Sequence, residues 1–354
     1  MPNAEPLIFD GHNDVLLRLH QGGGRSQVRG FIDGSTGHID LPRARRGGFA
    51  GGFFALYVPS PGDSDAMMAQ MQKPEYRLPL PEPLDQSDAL EVILSQVAIL
   101  LDLQAAGALN ICTTVPELRD CLANNCMAAI MHMEGAEALD EELQALDVLH
   151  AAGLRSLGPV WSRPTIFGHG VPFAYPSSPD TGPGLTDAGV RLVRRCNELG
   201  IMIDLSHLND AGFWDVARHS DAPLVATHSN AHAICAQSRN LTDRQLDAIA
   251  ESDGMVGVNF ATAFLREDGQ MRIDTPLDTV LRHLDHLIER LGEDRVGFGS
   301  DFDGAMIPDE INDVAGLVNL RKAMVAHGYD DKLMEKLCHE NWLRVLDKTW
   351  GSSE

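Results

Sequence analysis

Residues 202–229 read MIDLSHLNDAGFWDVARHSDAPLVATHS, and this run decides the fold. Two short apolar segments, Met202–His207 and Leu224–His228, flank a helical pattern over Asp210–His219. The apolar segments are compact, as strands buried on both faces should be. Strand, helix and strand in succession form one parallel βαβ unit. Each strand ends in a histidine.

The same unit recurs on both sides. Further compact apolar runs lie at Leu7–Asp14, Gly52–Val58, Ala128–Glu134, Leu154–Trp161, Met255–Phe260 and Val296–Asp301. Helical patterns at Asp88–Ala106, Glu137–Ala152, Thr186–Leu199, Thr242–Glu251 and Pro276–Leu291 fall between most of them. Eight strands alternating with helices predict an α/β chain, a single-domain (β/α)8 TIM-like barrel over residues 1–354 with long active-site loops. An open doubly wound sheet is the alternative, but no G-x-G-x-x-G follows the first strand to support it. The long connections are Pro59–Ser87, rich in Pro, Met and Asp, and Ser162–Leu185, rich in Pro and Gly. Both follow strands, where a barrel places lids, interface segments or plain surface excursions over its active-site face. The apolar stripe LMEKLCHENWLRVL near the C-terminus reads as a helix packing face.

Of the 354 residues, 44% are hydrophobic and 22% charged, which excludes disorder and a long coiled coil. Acidic residues number 51 and basic residues 28, a net charge of −23. That excess repels phosphate backbones and anionic membranes, so neither nucleic acid nor a membrane is expected as partner. The six cysteines are scattered without a C-x-x-C pair and read as mostly buried, reduced thiols. The N-terminus, MPNAEPLIFDGHND, has no basic start, and no apolar span reaches the ~18 residues of a membrane helix. A soluble, cytoplasmic chain is the expectation.

Polar residues collect at the strand ends. The first strand ends FDGHND, and His12 and Asp14, two apart, point to one side. The third ends HMEG, where Glu134 lies at the tip and His132, on the same side, competes as a ligand. The fifth ends at His207, the sixth at His228, and Asp301 follows the eighth. A lone residue of this kind is commonly a hydrogen-bonded or surface group. Five of eight strands ending this way converge on one mouth in a barrel. Three histidines and two carboxylates exceed the three protein ligands of one catalytic zinc, so the count suits two metals. Two metals about 3.5–4 Å apart need a bridging group. None of the lysines (Lys73, Lys322, Lys332, Lys336, Lys348) ends a strand, which leaves a carboxylate, with Glu134 best placed. Asp301 then remains free as proton shuttle. Arg239, after the sixth strand, reads either as a bidentate clamp for a substrate carboxylate or as a helix-end partner of Asp243. The absence of G-x-S-x-G, and of a cysteine at a strand tip beside a histidine, argues against nucleophilic catalysis.

Together the segments FDGHND, HMEG, DLSH, THSNAHAI with SRNLTD, and GSDFDG resemble the renal (membrane) dipeptidase family, peptidase family M19 of the amidohydrolase superfamily. They run in family order from Asp10 to Gly304, with a family-like ENWLRVL at Glu340–Leu346. The resemblance implies a binuclear zinc site in a distorted (β/α)8 barrel. His12 and Asp14 would bind one zinc, His207 and His228 the other, and Glu134 would bridge. Arg239 would hold the C-terminal carboxylate of a dipeptide, and Asp301 would move the proton of a metal-bridged hydroxide to the departing amine. Family members cleave dipeptides, often accept a D-residue at the C-terminal position, and usually form homodimers. One departure stands out. The mammalian-type pattern ends the fourth strand in Thr-His, and this chain has LGPVWSRP, with Trp161 where the His is expected. Trp161 is therefore a substrate-binding candidate, and His169 or Arg163 is expected to reach back and polarise the carbonyl. The departure keeps open a metallohydrolase of N-acyl amino acids, cyclic amides or lactones. A non-catalytic accessory protein is the third reading, although every ligand and Asp301 are present.

Overall fold

In a computed structural model, which describes residues 5–60, 62 and 64–351, all eight apolar runs form strands. They are β1 (Ile8–Asn13), β2 (Phe49–Tyr57), β3 (Ala128–Glu134), β4 (Leu154–Gly158), β5 (Met202–Ile203), β6 (Val225–Ala226), β7 (Met255–Asn259) and β8 (Val296–Gly299). Residues 1–4, 61, 63 and 352–354 of the expected 1–354 span lie outside the described residues. Every pairing is parallel and joins strands consecutive in sequence, with β1 also beside β8. An isolated parallel bridge, Asp204 to Val225, joins β5 to β6 and completes the circle. The sheet is thus a nearly closed barrel rather than an open one. No helix of the described residues is long and apolar enough to cross a membrane.

Helices pack outside: α1 (Gln86–Ala105), α2 (Gln144–Ala151), α3 (Asp187–Leu199), α4 (Asp210–His219), α5 (Asp243–Glu251) and α6 (Leu277–Leu291). Local chemistry fixes several starts. Thr186 and Asn209 accept N–H groups of the first turns of α3 and α4, and Thr242 with Gln245 forms a capping box on α5. Two boundaries differ from expectation. α2 begins at Gln144 rather than near Glu137, because Leu143 takes a left-handed φ of 61°. β4 stops at Gly158, before Pro159, which has no N–H to continue a ladder.

The barrel floor is apolar. Phe9, Phe53, Ile130, Met202, Val225 and Met255 cluster with Trp342 of the C-terminal helix α7 (Asn341–Trp350). The Trp342 indole donates to the Phe298 carbonyl at 3.1 Å and is fully buried. It needs glycines around it: a Cβ at Gly11, Gly257 or Gly297 would lie 2.5, 3.0 or 3.0 Å from the ring. The stripe at 333–346 is thus more than a helix face, since one of its residues fills the centre of the barrel.

Both long connections cover the opposite end. Tyr76–Arg77 of the first pairs antiparallel with Ala174–Tyr175 of the second. The Tyr76 hydroxyl donates to Gly269 O at 2.8 Å, and the Met271 N–H donates to Met71 O at 2.9 Å. Met71, Tyr76 and Leu78 pack on Ala261, Phe264 and Met271. Loops after β2, β4 and β7 therefore make one joined cover.

Replacing Trp342 with Ala should cost about 3–5 kcal/mol, because the floor cannot collapse onto the lost ring. The check is the denaturant midpoint at unchanged slope; a loss under about 1 kcal/mol would show that the floor closes without it.

Candidate metal centre

Because side chains alternate along a strand, His132 and Glu134 both point into the barrel, with Glu134 one layer higher. There it meets residues from three other strand ends. Glu134 Oε1 lies 3.0 Å from His207 Nε2 and 3.5 Å from His228 Nε2, and Oε2 lies 3.5 Å from His12 Nε2. His12 Nε2 is in turn 3.4 Å from Asp14 Oδ2, and the Nε2 atoms of His207 and His228 are 3.2 Å apart. One carboxylate oxygen thus faces a histidine pair, and the other faces His12 with Asp14 beside it.

Asp301 joins the second group. His12, Asp14 and Asp301 offer ligand atoms within 4.8 Å of one another, as do His12, Glu134 and His228. The Asp301 backbone takes a left-handed φ of 60°, and its N–H donates to His12 O at 3.0 Å. A Cβ at Gly304 would lie 2.1 Å from Asp14 Oδ2 and 2.5 Å from Asp301 Oδ1, so a side chain there would collide with both carboxylates.

Do these residues fit divalent ions? Both ring nitrogens of His12 are buried without a hydrogen-bond partner, an arrangement that is costly unless something else satisfies them. Two ligand atoms about 2.1 Å from one ion at a tetrahedral angle lie about 3.4 Å apart. The separations of 3.4, 3.5, 3.5 and 3.2 Å match that spacing, and the Glu134–His207 separation, 3.0 Å, is shorter. Electrostatics agree. Burial pushes Asp14 up to about 7, against the pull of His12, and raises Asp301 as well. Burial opposes charge on His12, yet the Glu134 and Asp14 carboxylates hold it well above its usual range. Burial works against an ionised Glu134, but His12, with His207 and His228, keeps it well below the carboxylate range. Burial, then Arg239, pushes His207 down to about 4; burial, then His12 and Arg239, holds His228 well below its usual range. The site gathers carboxylates and keeps two imidazoles neutral, which suits cations.

Arg239 stands at one side of the cluster and is 3% exposed. It donates to Ser229 Oγ at 2.9 Å and to His228 O at 3.0 Å, while its Nε has no partner. Among the described residues it pairs with no carboxylate, and Asp243 bonds His286 at 2.8 Å instead. Burial lowers it to about 10, so it stays charged. Trp161 is half-buried beside the cluster, its ring 5.8 Å from His207, 5.1 Å from Tyr57 and 5.7 Å from Phe173. The other expected carbonyl donors are engaged elsewhere. The His169 ring contacts Gly184 O at 3.3 Å. Arg163 is fully buried and bonds Glu137 at 2.7 Å, Val58 O at 2.9 Å and Ser60 at 2.8 Å. His132 lies below the cluster, bonded to Ser156 at 2.9 Å. Two neighbours were not singled out from sequence. Asn259 donates to Asp301 Oδ2 at 2.9 Å, its amide oriented by Ala261 N–H on Oδ1. Asp204 lies beneath His132 and His228. Its only signal is its place in DLSH, three residues before His207.

Comparison with known proteins bears on this geometry. The family model described as membrane dipeptidase (peptidase family M19) matches residues 3–353. A Rhodobacter sphaeroides metallopeptidase, solved with a phosphinate mimic of L-Ala-D-Ala, is 58% identical with a TM-score of 0.96, over 98% of this chain and 100% of that one. A Klebsiella pneumoniae protein of the pqqA 5′ region is 51% identical over 74% of this chain and 98% of its own length. A probable dipeptidase from Pseudomonas aeruginosa shares the fold at 22% identity and a TM-score of 0.81, over 98% of this chain and 96% of that one. With its whole length matched and its strand ends arranged as described, the chain belongs to the membrane dipeptidase family, peptidase family M19, and is a metallopeptidase of that family.

Proposed function

We propose that this chain hydrolyses dipeptides, L-Xaa-D-Xaa among them, at a pair of zinc ions. The observation that carries the reading is Glu134, whose two oxygens face two ligand groups at separations suited to two ions. His12 and Asp14 would hold one ion, His207 and His228 the other, and Glu134 both. A bound pair supplies Lewis acidity and water acidified to a pKa near about 7. The R. sphaeroides relative's phosphinate ligand supports a D-residue at the C-terminal position.

The chain's own residues do the rest. The buried Arg239 guanidinium, with a free Nε and no acidic partner, would receive the substrate's α-carboxylate. The joined cover over the mouth would shield a bound substrate from water. Asp301, held by Asn259 through Oδ2, would take the nucleophile's proton and return it to the departing amine. Trp161, with Tyr57 and Phe173, would line the substrate pocket rather than donate as the fourth-strand histidine would. His169, from the loop after β4, is proposed as a further contact, through rotation away from Gly184. The chain is read as a cytoplasmic homodimer, which light scattering checks.

The deciding experiment is hydrolysis of matched L-Xaa-L-Xaa and L-Xaa-D-Xaa libraries by zinc-loaded protein. Chelator-sensitive turnover of particular pairs is expected. No turnover, with two metals bound, would favour N-acyl amino acids, cyclic amides or lactones, for which Trp161 is the argument.

Arg239→Ala should lower kcat/KM on dipeptides about a hundredfold or more, and only a few-fold on the same dipeptides with C-terminal amides. Equal losses would refute the clamp. Asp301→Asn should lower kcat by about 10²–10⁴ with metal content unchanged. Loss of one metal in that variant would make Asp301 a ligand instead, in keeping with its place beside His12 and Asp14.

A further inference from the structure

His207 and His228 follow the two shortest strands of the barrel, β5 and β6, of two residues each. Their edges meet through one bridge, Asp204 to Val225. Bonds that a longer ladder would supply come here from a side chain. Asp204 is 4% exposed. Its Oδ1 accepts the Thr227 N–H at 2.8 Å, the Ser206 N–H at 3.0 Å and the Ser206 hydroxyl at 2.6 Å. Its Oδ2 accepts the Thr227 hydroxyl at 2.6 Å. The Ser206 Oγ in turn accepts the His228 N–H at 3.1 Å.

A carboxylate that accepts four donors acts as an acceptor on both oxygens. A hydroxyl has one proton, and that of Thr227 is directed to Asp204. Thr227 Oγ1 also lies 2.8 Å from His228 Nδ1. With its proton committed, Oγ1 can only accept there, so Nδ1 carries the hydrogen. In a neutral imidazole the other nitrogen, Nε2, then keeps its lone pair. Nε2 is the atom 3.5 Å from Glu134 Oε1 and 3.2 Å from His207 Nε2. The chain Asp204–Thr227–His228 is a carboxylate–histidine arrangement with a hydroxyl inserted.

We propose that Asp204, acting through the Thr227 hydroxyl, is a positioning residue that fixes the His228 tautomer and turns its Nε2 lone pair toward a divalent ion. The inference rests on the metal-dependent reading above. It goes beyond that reading by assigning the bonds that prepare one ligand. The same carboxylate stitches β5 to β6, so one group both closes the barrel and orients the histidine at the seam.

The test is zinc affinity, by competition with a chromophoric chelator on the full-length protein at fixed pH. Asp204→Asn removes an acceptor and also weakens the seam, so Thr227 provides the cleaner variant. Thr227→Val keeps the shape and deletes the hydroxyl. It should bind zinc about 10–100-fold more weakly at a temperature where its metal-free form is still folded, although the unpaired Asp204 Oδ2 and His228 Nδ1 should lower its melting temperature. Thr227→Ser should restore affinity to within about threefold, since it keeps the hydroxyl. Asp204→Asn combined with Thr227→Val should lose little more than the greater single loss, because both break one chain of bonds. Thr227→Val binding zinc as tightly as wild type, or fully additive losses, would overturn the relay and leave the functional reading standing. A wild-type chain that retains no divalent ion would overturn both.

Discussion

Three carboxylates, two buried and one half-buried, meet at the mouth of the barrel, and their charge has to be balanced there. Asp14, Glu134 and Asp301 face His12 from different strand ends, and water is largely excluded. Uncompensated, such a cluster would be costly to fold around. The rest of the fold makes it tolerable. A rigid parallel barrel sets the strand ends at fixed separations, so the ligand atoms stand apart by the spacing a cation needs rather than collapsing onto one another. Arg239 supplies a positive charge at one side without pairing to any of the three. Burial first, with His12 acting on His228 and Arg239 on both, keeps His207 and His228 neutral, and therefore available as lone-pair donors.

The cover is built separately from the ligand layer. Its parts come from three loops that are distant in sequence and are tied by main-chain and tyrosine hydrogen bonds. The aromatic rings of Tyr57, Trp161, Phe173 and Phe264 run from Glu134's neighbourhood to Arg239. On the proposed reading, the Arg239 guanidinium at one end of this aromatic wall and the cluster around Glu134 at the other would set the span between a substrate carboxylate and the bond to be cut. Length selection would then follow from distance rather than from any one side chain.

Much of this was legible in the sequence because it is local. An apolar run announces a buried strand, and the polar residue at its end announces the mouth. Hence all eight strands lie within the expected apolar runs, two of them much shortened, and the five ligand candidates gather at one end of the barrel. What was not legible is pairing across the chain. Strand alternation puts His132 and Glu134 on one side and cannot say which reaches the mouth; depth in the barrel decides it, and His132 lies below. Arg163 carries a charge suited to a substrate, but its partner Glu137 is 26 residues away. Asn259 and Asp301 are 42 apart, and Asp204 and Thr227 are 23 apart. The strands expected at Met202–His207 and Leu224–His228 are longer than those observed, because the Asp204 carboxylate replaces their ladder. Hydrophobic pattern records burial, and it does not record which of two hydrogen-bonding schemes a buried polar residue adopts.

Trp342 has a consequence for the order in which the molecule can be made. The ribosome delivers β1 through β8 before it delivers the indole that fills their centre, and domains fold as units as the chain emerges. Until α7 appears, Gly11, Gly257 and Gly297 have no ring between them. The barrel's strands are therefore translated before the residue that fills their floor, and a nascent chain stalled short of α7 would expose that gap.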